Sequence, residues 1–165
     1  MKKLNVLIGC EYSGVVRDAF AKLGHNAWSC DLLPTDRPNP KHIQGDIFNI
    51  LDQDWDLAIF HPPCTFLTVS NAQRWEELQR TGKQQAAIKF VEALYDCKIP
   101  HICIENPVGA ISTRSKLGKP SQYIQPYEYG HYEQKKTGLW LRGLNPLVPT
   151  DIKDLTGLPK KVTQR

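Results

Sequence analysis

Cys64 closes the run His61-Pro62-Pro63-Cys64. Two consecutive prolines fix the backbone and remove two amide donors, so the thiol stands on a stiff loop and not inside a strand. A thiolate on such a perch is a nucleophile, and a cation such as Lys135 or Lys136, or a helix N-terminus, favours the charged form. The alternative for Cys64 is a small buried hydrophobe, a common state of a free cysteine. A metal pair of His61 and Cys64 lacks the second Cys/His pair that finger spacing requires, and no metal is expected. Glu105 follows the apolar run His101-Ile102-Cys103-Ile104 and precedes Asn106-Pro107. A carboxyl there can hold and donate a proton, or it can cap the next turn.

A second set of residues suits a ligand that contains a nucleoside. Gly9-Cys10-Glu11-Tyr12-Ser13-Gly14 carries two glycines that let a loop approach a ligand, and Asp31 and Asp46 are acids placed to meet ribose hydroxyls and an adenine amino group. The chain contains neither GxGxxG nor GxxxxGK[ST], which argues against a dinucleotide-binding fold of the usual kind and against a P-loop NTPase.

These residues need a scaffold that brings them to one edge. Leu4 to Ile8 is a short apolar run, and Val16, Ala19, Phe20 and Leu23 then recur at helical spacing. Gly24 stands where a left-handed helix cap is expected, and Ala27 to Cys30 forms a second strand ending at Asp31. Strand, helix, strand is the start of an α/β sheet. Leu33 to Asn39 reads as a loop, Gly45-Asp46-Ile47 as a turn, and Trp55 to Phe60 as a buried strand. About Ala72 to Cys97 is helical, as one helix or as two divided at Gly82. His101 to Glu105 and Gly138 to Leu141 complete the strands. The alternation predicts a mostly parallel sheet with helices on both faces, and ligands bind beyond the carboxyl ends of such strands. Gly9 to Gly14, Asp31, Cys64 and Glu105 all fall at strand ends.

The 165 residues, 41% apolar and 23% charged, fit one globular domain and exclude disordered, collagen-like and coiled-coil classes. Residues 1–150 are read as that domain and 151–165 as a short basic tail, with Lys160, Lys161 and Arg165. A net charge of +4 is compatible with a polyanionic partner without the dense basic footprint of a nucleic-acid coat. Five cysteines, at 10, 30, 64, 97 and 103, form no CxxC pair and are read as thiols, and neither a signal peptide nor a membrane span is expected; the cytoplasm is the expected compartment.

The order of these motifs resembles the catalytic half of the DNA cytosine-5 methyltransferase family, in a short form of the kind typical of bacteriophages. Leu4 to Gly14 matches the glycine-bearing S-adenosylmethionine loop, Asp31 the acid after the second strand, and Gly45-Asp46-Ile47 the adenine-contacting segment. Pro62-Pro63-Cys64 matches the Pro-Cys motif and Glu105-Asn106 the Glu-Asn motif, while Gln134-Lys135-Lys136-Thr137-Gly138-Leu139-Trp140-Leu141 resembles the late basic motif. The resemblance covers residues 4–144. It implies a Rossmann-like methyltransferase fold, S-adenosylmethionine as cofactor held by Gly9, Glu11, Tyr12, Ser13, Gly14, Asp31, Asp46, Ile47 and Pro62, and a catalytic set of Cys64, Glu105 and Lys136. It further implies that the Cys64 thiolate adds to cytosine C6 while Glu105 hydrogen-bonds or protonates N3, after which C5 takes the methyl group.

This chain departs from the family pattern in three ways. Cys10-Glu11-Tyr12-Ser13 replaces an aromatic-rich loop, His61 precedes the prolines, and Lys135 and Lys136 stand where arginines are usual. A lysine makes a poorer bidentate contact than an arginine. Little chain follows Leu144, so the expected partner is a cytosine in DNA, single strands included, with a second subunit or a homodimer to supply recognition. A free cytosine nucleotide or RNA as substrate, and an inactive nucleoside- or partner-binding module, are the alternative readings.

Overall fold

A computed structural model describes residues 1–157, for Ser70 and Asn71 the backbone only. In chain order the elements are β1 Asn5–Gly9, α1 Val15–Lys22, β2 Asn26–Asp31, β3 His42–Gln44, β4 Leu57–Phe60, α2 Trp75–Arg80, α3 Lys83–Tyr95, β5 His101–Pro107, α4 Ile111–Arg114, β6 Gln122–Ile124 and β7 Thr137–Arg142. They build one seven-stranded sheet in the order β3-β2-β1-β4-β5-β7-β6. From β3 across to β5 every pairing is parallel, whereas β7 runs antiparallel to both β5 and β6.

The two faces of the sheet are buried by different helices. Leu7, Ala58, Phe60, Ile102 and Ile104 point to one face, where Ile88, Val91 and Leu94 of α3 complete the core. Val6, Ile8, Ala27 and Leu57 point to the other and pack against Val16 and Phe20 of α1. Central strands buried on both sides need apolar residues at successive positions, which is why Val6-Leu7-Ile8 shows no alternation. The mixed α/β sheet expected from the alternation of elements is therefore present, with helical cover on both faces.

Local details follow from glycine and from length. Gly82 has φ +73 and separates α2 from α3, so the long helical stretch is two helices. Gly24 has φ +90 just beyond α1, in the left-handed region that its sequence position predicts. β3, β6 and α4 are three or four residues long and have no counterpart in the sequence reading, because periodicity cannot register over so few positions. After Pro149 the chain turns back: the amides of Thr150 and Asp151 donate to the Glu128 carbonyl and that of Lys153 to Tyr127. The segment read as a tail thus begins in contact with the domain, and Lys160, Lys161 and Arg165 lie outside the described residues. Among the described residues no helix is long and apolar enough to cross a membrane.

Candidate active site

The parallel strands β1, β2, β4 and β5 end at one edge of the sheet. The antiparallel β7 brings its beginning, and Lys136 before it, to that same edge. β4 and β5 are neighbours with Phe60 opposite Ile104, and the His61 amide continues the ladder by donating to the Gly9 carbonyl at 3.0 Å. His61 and Glu105 come one position later on both strands and share a face. Nδ1 of His61 lies 3.0 Å from Oε2 of Glu105, and each side chain is 27% exposed.

Asn106 points the other way and is buried. Its Nδ2 donates to the Pro62 carbonyl at 2.9 Å, joining the loop that carries Cys64 to the strand that carries Glu105. Cys64 itself is half-buried, and its carbonyl accepts from the amides of Leu67 and Thr68 to start a tight turn. That turn is pinned beyond β5, where the Ala110 amide donates to the Leu67 carbonyl at 2.6 Å and Thr68 bridges Gly109. A Cβ on Gly109 would lie 1.9 Å from the Leu67 oxygen, so only glycine fits. The Pro-Cys and Glu-Asn segments are thus brought together by Asn106 and Gly109. Sequence reasoning passed over Gly109, although Asn-Pro-Val-Gly directly after a strand is the composition of a constrained turn.

The segment from Gly9 to Gly14 proves to be engaged internally. A Cβ on Gly9 would lie 2.5 Å from the Phe60 ring, and one on Gly14, at φ +71, would lie 2.4 Å from the Arg17 guanidinium. Both glycines are accounted for by packing inside the chain. Glu11 is buried, and its carboxylate accepts from the amides of Val16 and Arg17 and from the Ser13 hydroxyl, so it caps the first turn of α1. Tyr12 remains on the surface. Cys10 has φ +58, the only left-handed non-glycine residue among the described residues, a conformation that costs of order 1 kcal/mol or more.

Asp31 and Asp46 do come together. The Gly45 amide donates to the Asp31 carbonyl at 2.8 Å, which sets the two acids side by side beyond β2 and β3. One oxygen of each side chain accepts a local amide, from Leu33 and from Phe48 respectively. Leu32, which follows Asp31, is 72% exposed. Ile47 is buried in the core, and Pro62 is buried with its carbonyl given to Asn106. The ammonium of Lys136 stands 4.4 Å from the centroid of the Tyr123 ring on β6, two strands out from β5.

The thiols differ in their surroundings. Burial pushes Cys10 and Cys103 up to about 12, assisted at Cys10 by the charge of Asp31 and at Cys103 by that of Glu105. Burial likewise pushes Cys30 up to about 11 and raises Cys97. All four are thereby held as neutral thiols. The five cysteines are free. Among the described residues no group of three or more His, Cys, Asp or Glu side chains could hold a metal ion.

The chain matches no protein-family model, and no curated protein matches it.

Proposed function

We propose that this chain is a Rossmann-like, S-adenosylmethionine-dependent methyltransferase that acts on C5 of cytosine in DNA. The observation that carries this reading is the buried hydrogen bond from Asn106 to the Pro62 carbonyl, which ties the Pro-Cys loop to the Glu-Asn strand end at the edge where ligands of parallel α/β sheets bind. The loop that carries the thiol and the strand that carries the carboxyl are thereby held together at that edge. The sheet order, with one antiparallel strand inserted next to β5, agrees with this reading.

Asp31 and Asp46 fit the cofactor. Each carboxylate keeps one oxygen outside its local amide contact, and the pair stands at the ends of β2 and β3 beside the exposed Leu32, an arrangement suited to a ribose, an adenine amino group and an apolar ring face. S-adenosylmethionine, when bound, supplies the methyl group. Cys64 adds as thiolate to C6 of cytosine, forming the S–C6 bond and shifting the C5–C6 π pair to C5, so the ring loses its aromaticity while staying closed and C5 becomes electron-rich. Glu105 holds hydrogen at N3 and relieves the charge pushed onto the ring. After methylation, loss of the C5 proton and of the thiolate restores the aromatic base. A duplex substrate requires the cytosine to leave the stack first.

The test is transfer of label from S-adenosylmethionine to duplex DNA, single-stranded DNA, RNA and dCMP, each offered separately. Label in either DNA supports the reading. Label confined to RNA or dCMP would move the substrate, and cofactor binding with transfer to none of the four would leave a binding module.

A further inference from the structure

His61 has no counterpart in the family pattern that the chain resembles, yet among the described residues it makes the only hydrogen bond to the Glu105 carboxylate. The sheet register places the two residues side by side at the ends of β4 and β5, with Nδ1 of His61 3.0 Å from Oε2 of Glu105. Oε1 of Glu105 makes no hydrogen bond among the described residues. Nε2 of His61 is buried without a hydrogen-bond partner. An exposed ion pair contributes little and imposes no such cost. Burying a ring nitrogen unpartnered is unfavourable, so the ring is held against Glu105 by its surroundings and does not drift there by surface attraction. A glutamate carboxyl rotates broadly about its last bond, and one donor on Oε2 fixes its plane and turns Oε1 to the open side.

We propose that His61 is a positioning residue for Glu105: its Nδ1–H donates to Oε2 and presents Oε1 to the base. This rests on the methyltransferase reading for its functional meaning, though the orienting contact itself does not. No bond to the substrate is made by His61, and no proton leaves the pair in this role. The Asn106 bond to Pro62 fixes the two strand ends relative to each other, and the His61 bond then fixes the carboxyl upon them.

The test compares the wild type with His61→Ala and His61→Asn. Asparagine carries an amide nitrogen near the place of Nδ1 and restores the donor without the ring. In His61→Ala, kcat for methyl transfer to cytosine DNA falls about tenfold or more while KM for S-adenosylmethionine stays unchanged, and His61→Asn recovers most of the loss. Unchanged kcat in His61→Ala, or an equal loss in both variants, overturns the proposal. Nitrogen-15 spectra of the His61 ring supply a readout that needs no turnover. The wild type shows the Nδ1–H tautomer, and Glu105→Leu releases it to the Nε2–H form that isolated imidazoles favour. A tautomer indifferent to Glu105→Leu overturns the orienting contact. A wild type that transfers methyl to no cytosine substrate overturns the methyltransferase reading, and the spectra still decide whether His61 orients Glu105.

Discussion

Asn106 and Pro62 are joined across the end of the sheet: Nδ2 of Asn106 donates to the Pro62 carbonyl at 2.9 Å, with both residues buried. The bond spans 44 positions of sequence and stands in for the ladder that the prolines interrupt. The amide oxygen, Oδ1, is buried without a partner. A residue that tolerates this cost is held in place by its donor alone.

Asn106→Ala should therefore cost about 1–3 kcal/mol, because the Pro62 carbonyl is left buried and unpaired. Urea denaturation measures that loss. DNA carrying 5-fluorocytosine, incubated with cofactor, measures the functional part: the wild type forms a covalent complex, Cys64→Ala forms none, and Asn106→Ala forms less than the wild type even at temperatures where it is fully folded. Equal complex formation by Cys64→Ala would remove Cys64 from the chemistry.

Alkylation kinetics should separate the thiols. Cys10 and Cys103 are pushed up to about 12 and Cys30 to about 11, so at pH 8 they are almost wholly protonated and react slowly in the folded protein. Cys64 is half-exposed on its loop and is expected to react first with iodoacetamide, followed by the others only on unfolding. Peptide mass mapping after a short pulse checks the order. Early labelling of Cys10 would show that the loop after β1 opens.

The acids at the proposed cofactor edge should divide by role. Asp31→Ala and Asp46→Ala each remove an acceptor from the ligand side and should weaken S-adenosylmethionine by roughly 1–3 kcal/mol in calorimetry. Glu11→Ala should instead destabilise the fold by about 1–2 kcal/mol, since its carboxylate accepts two amides at the start of α1. Thermal melting without cofactor reads that effect. Loss of affinity in Glu11→Ala with unchanged melting would reverse the assignment.

What the sequence revealed, and what it hid, has a physical pattern. Runs such as Val6-Leu7-Ile8 and Ile102-Cys103-Ile104 declare buried strands by composition, and the strand ends that carry Asp31, Cys64 and Glu105 were legible from them. At Gly9 and Glu11 the structure shows a glycine that avoids a phenylalanine ring and a carboxylate that caps a helix, roles with the same local spelling as those of residues that meet a cofactor. Only the long-range packing of Phe60 on Gly9 tells them apart. The pairing of His61 with Glu105 was hidden for the same reason: it depends on the register of β4 against β5, which no spacing within either segment encodes. The contact of Lys136 with Tyr123 comes from β6, too short to be seen in the sequence.

Arg17 and Asp18 offer a test of the scaffold apart from any activity. Arg17 is fully buried, and its guanidinium donates to Asp18 at 2.9 Å, to the Ser29 hydroxyl at 2.9 Å and to the Arg37 carbonyl at 3.3 Å. The hydrogen bond from Arg17, with the Arg17 and Arg37 charges adding to it, holds the Asp18 carboxyl below the ordinary aspartate range. A carboxyl depressed in the folded state contributes stability above its unfolded value of about 3.9 and loses it as pH falls through the lower folded value. Asp18→Asn keeps an acceptor for Arg17 and removes only the charge. The side chain of Asp18 is 27% exposed, and solvent screening limits the expected cost to about 1 kcal/mol at neutral pH. Urea midpoints of wild type and Asp18→Asn should differ by a constant amount above about pH 5, converge below the ordinary aspartate value near 3.9, and coincide in stronger acid. A gap that persists undiminished into strong acid would mean that the Asn side chain disturbs the packing around Arg17 and that the charge contributes nothing.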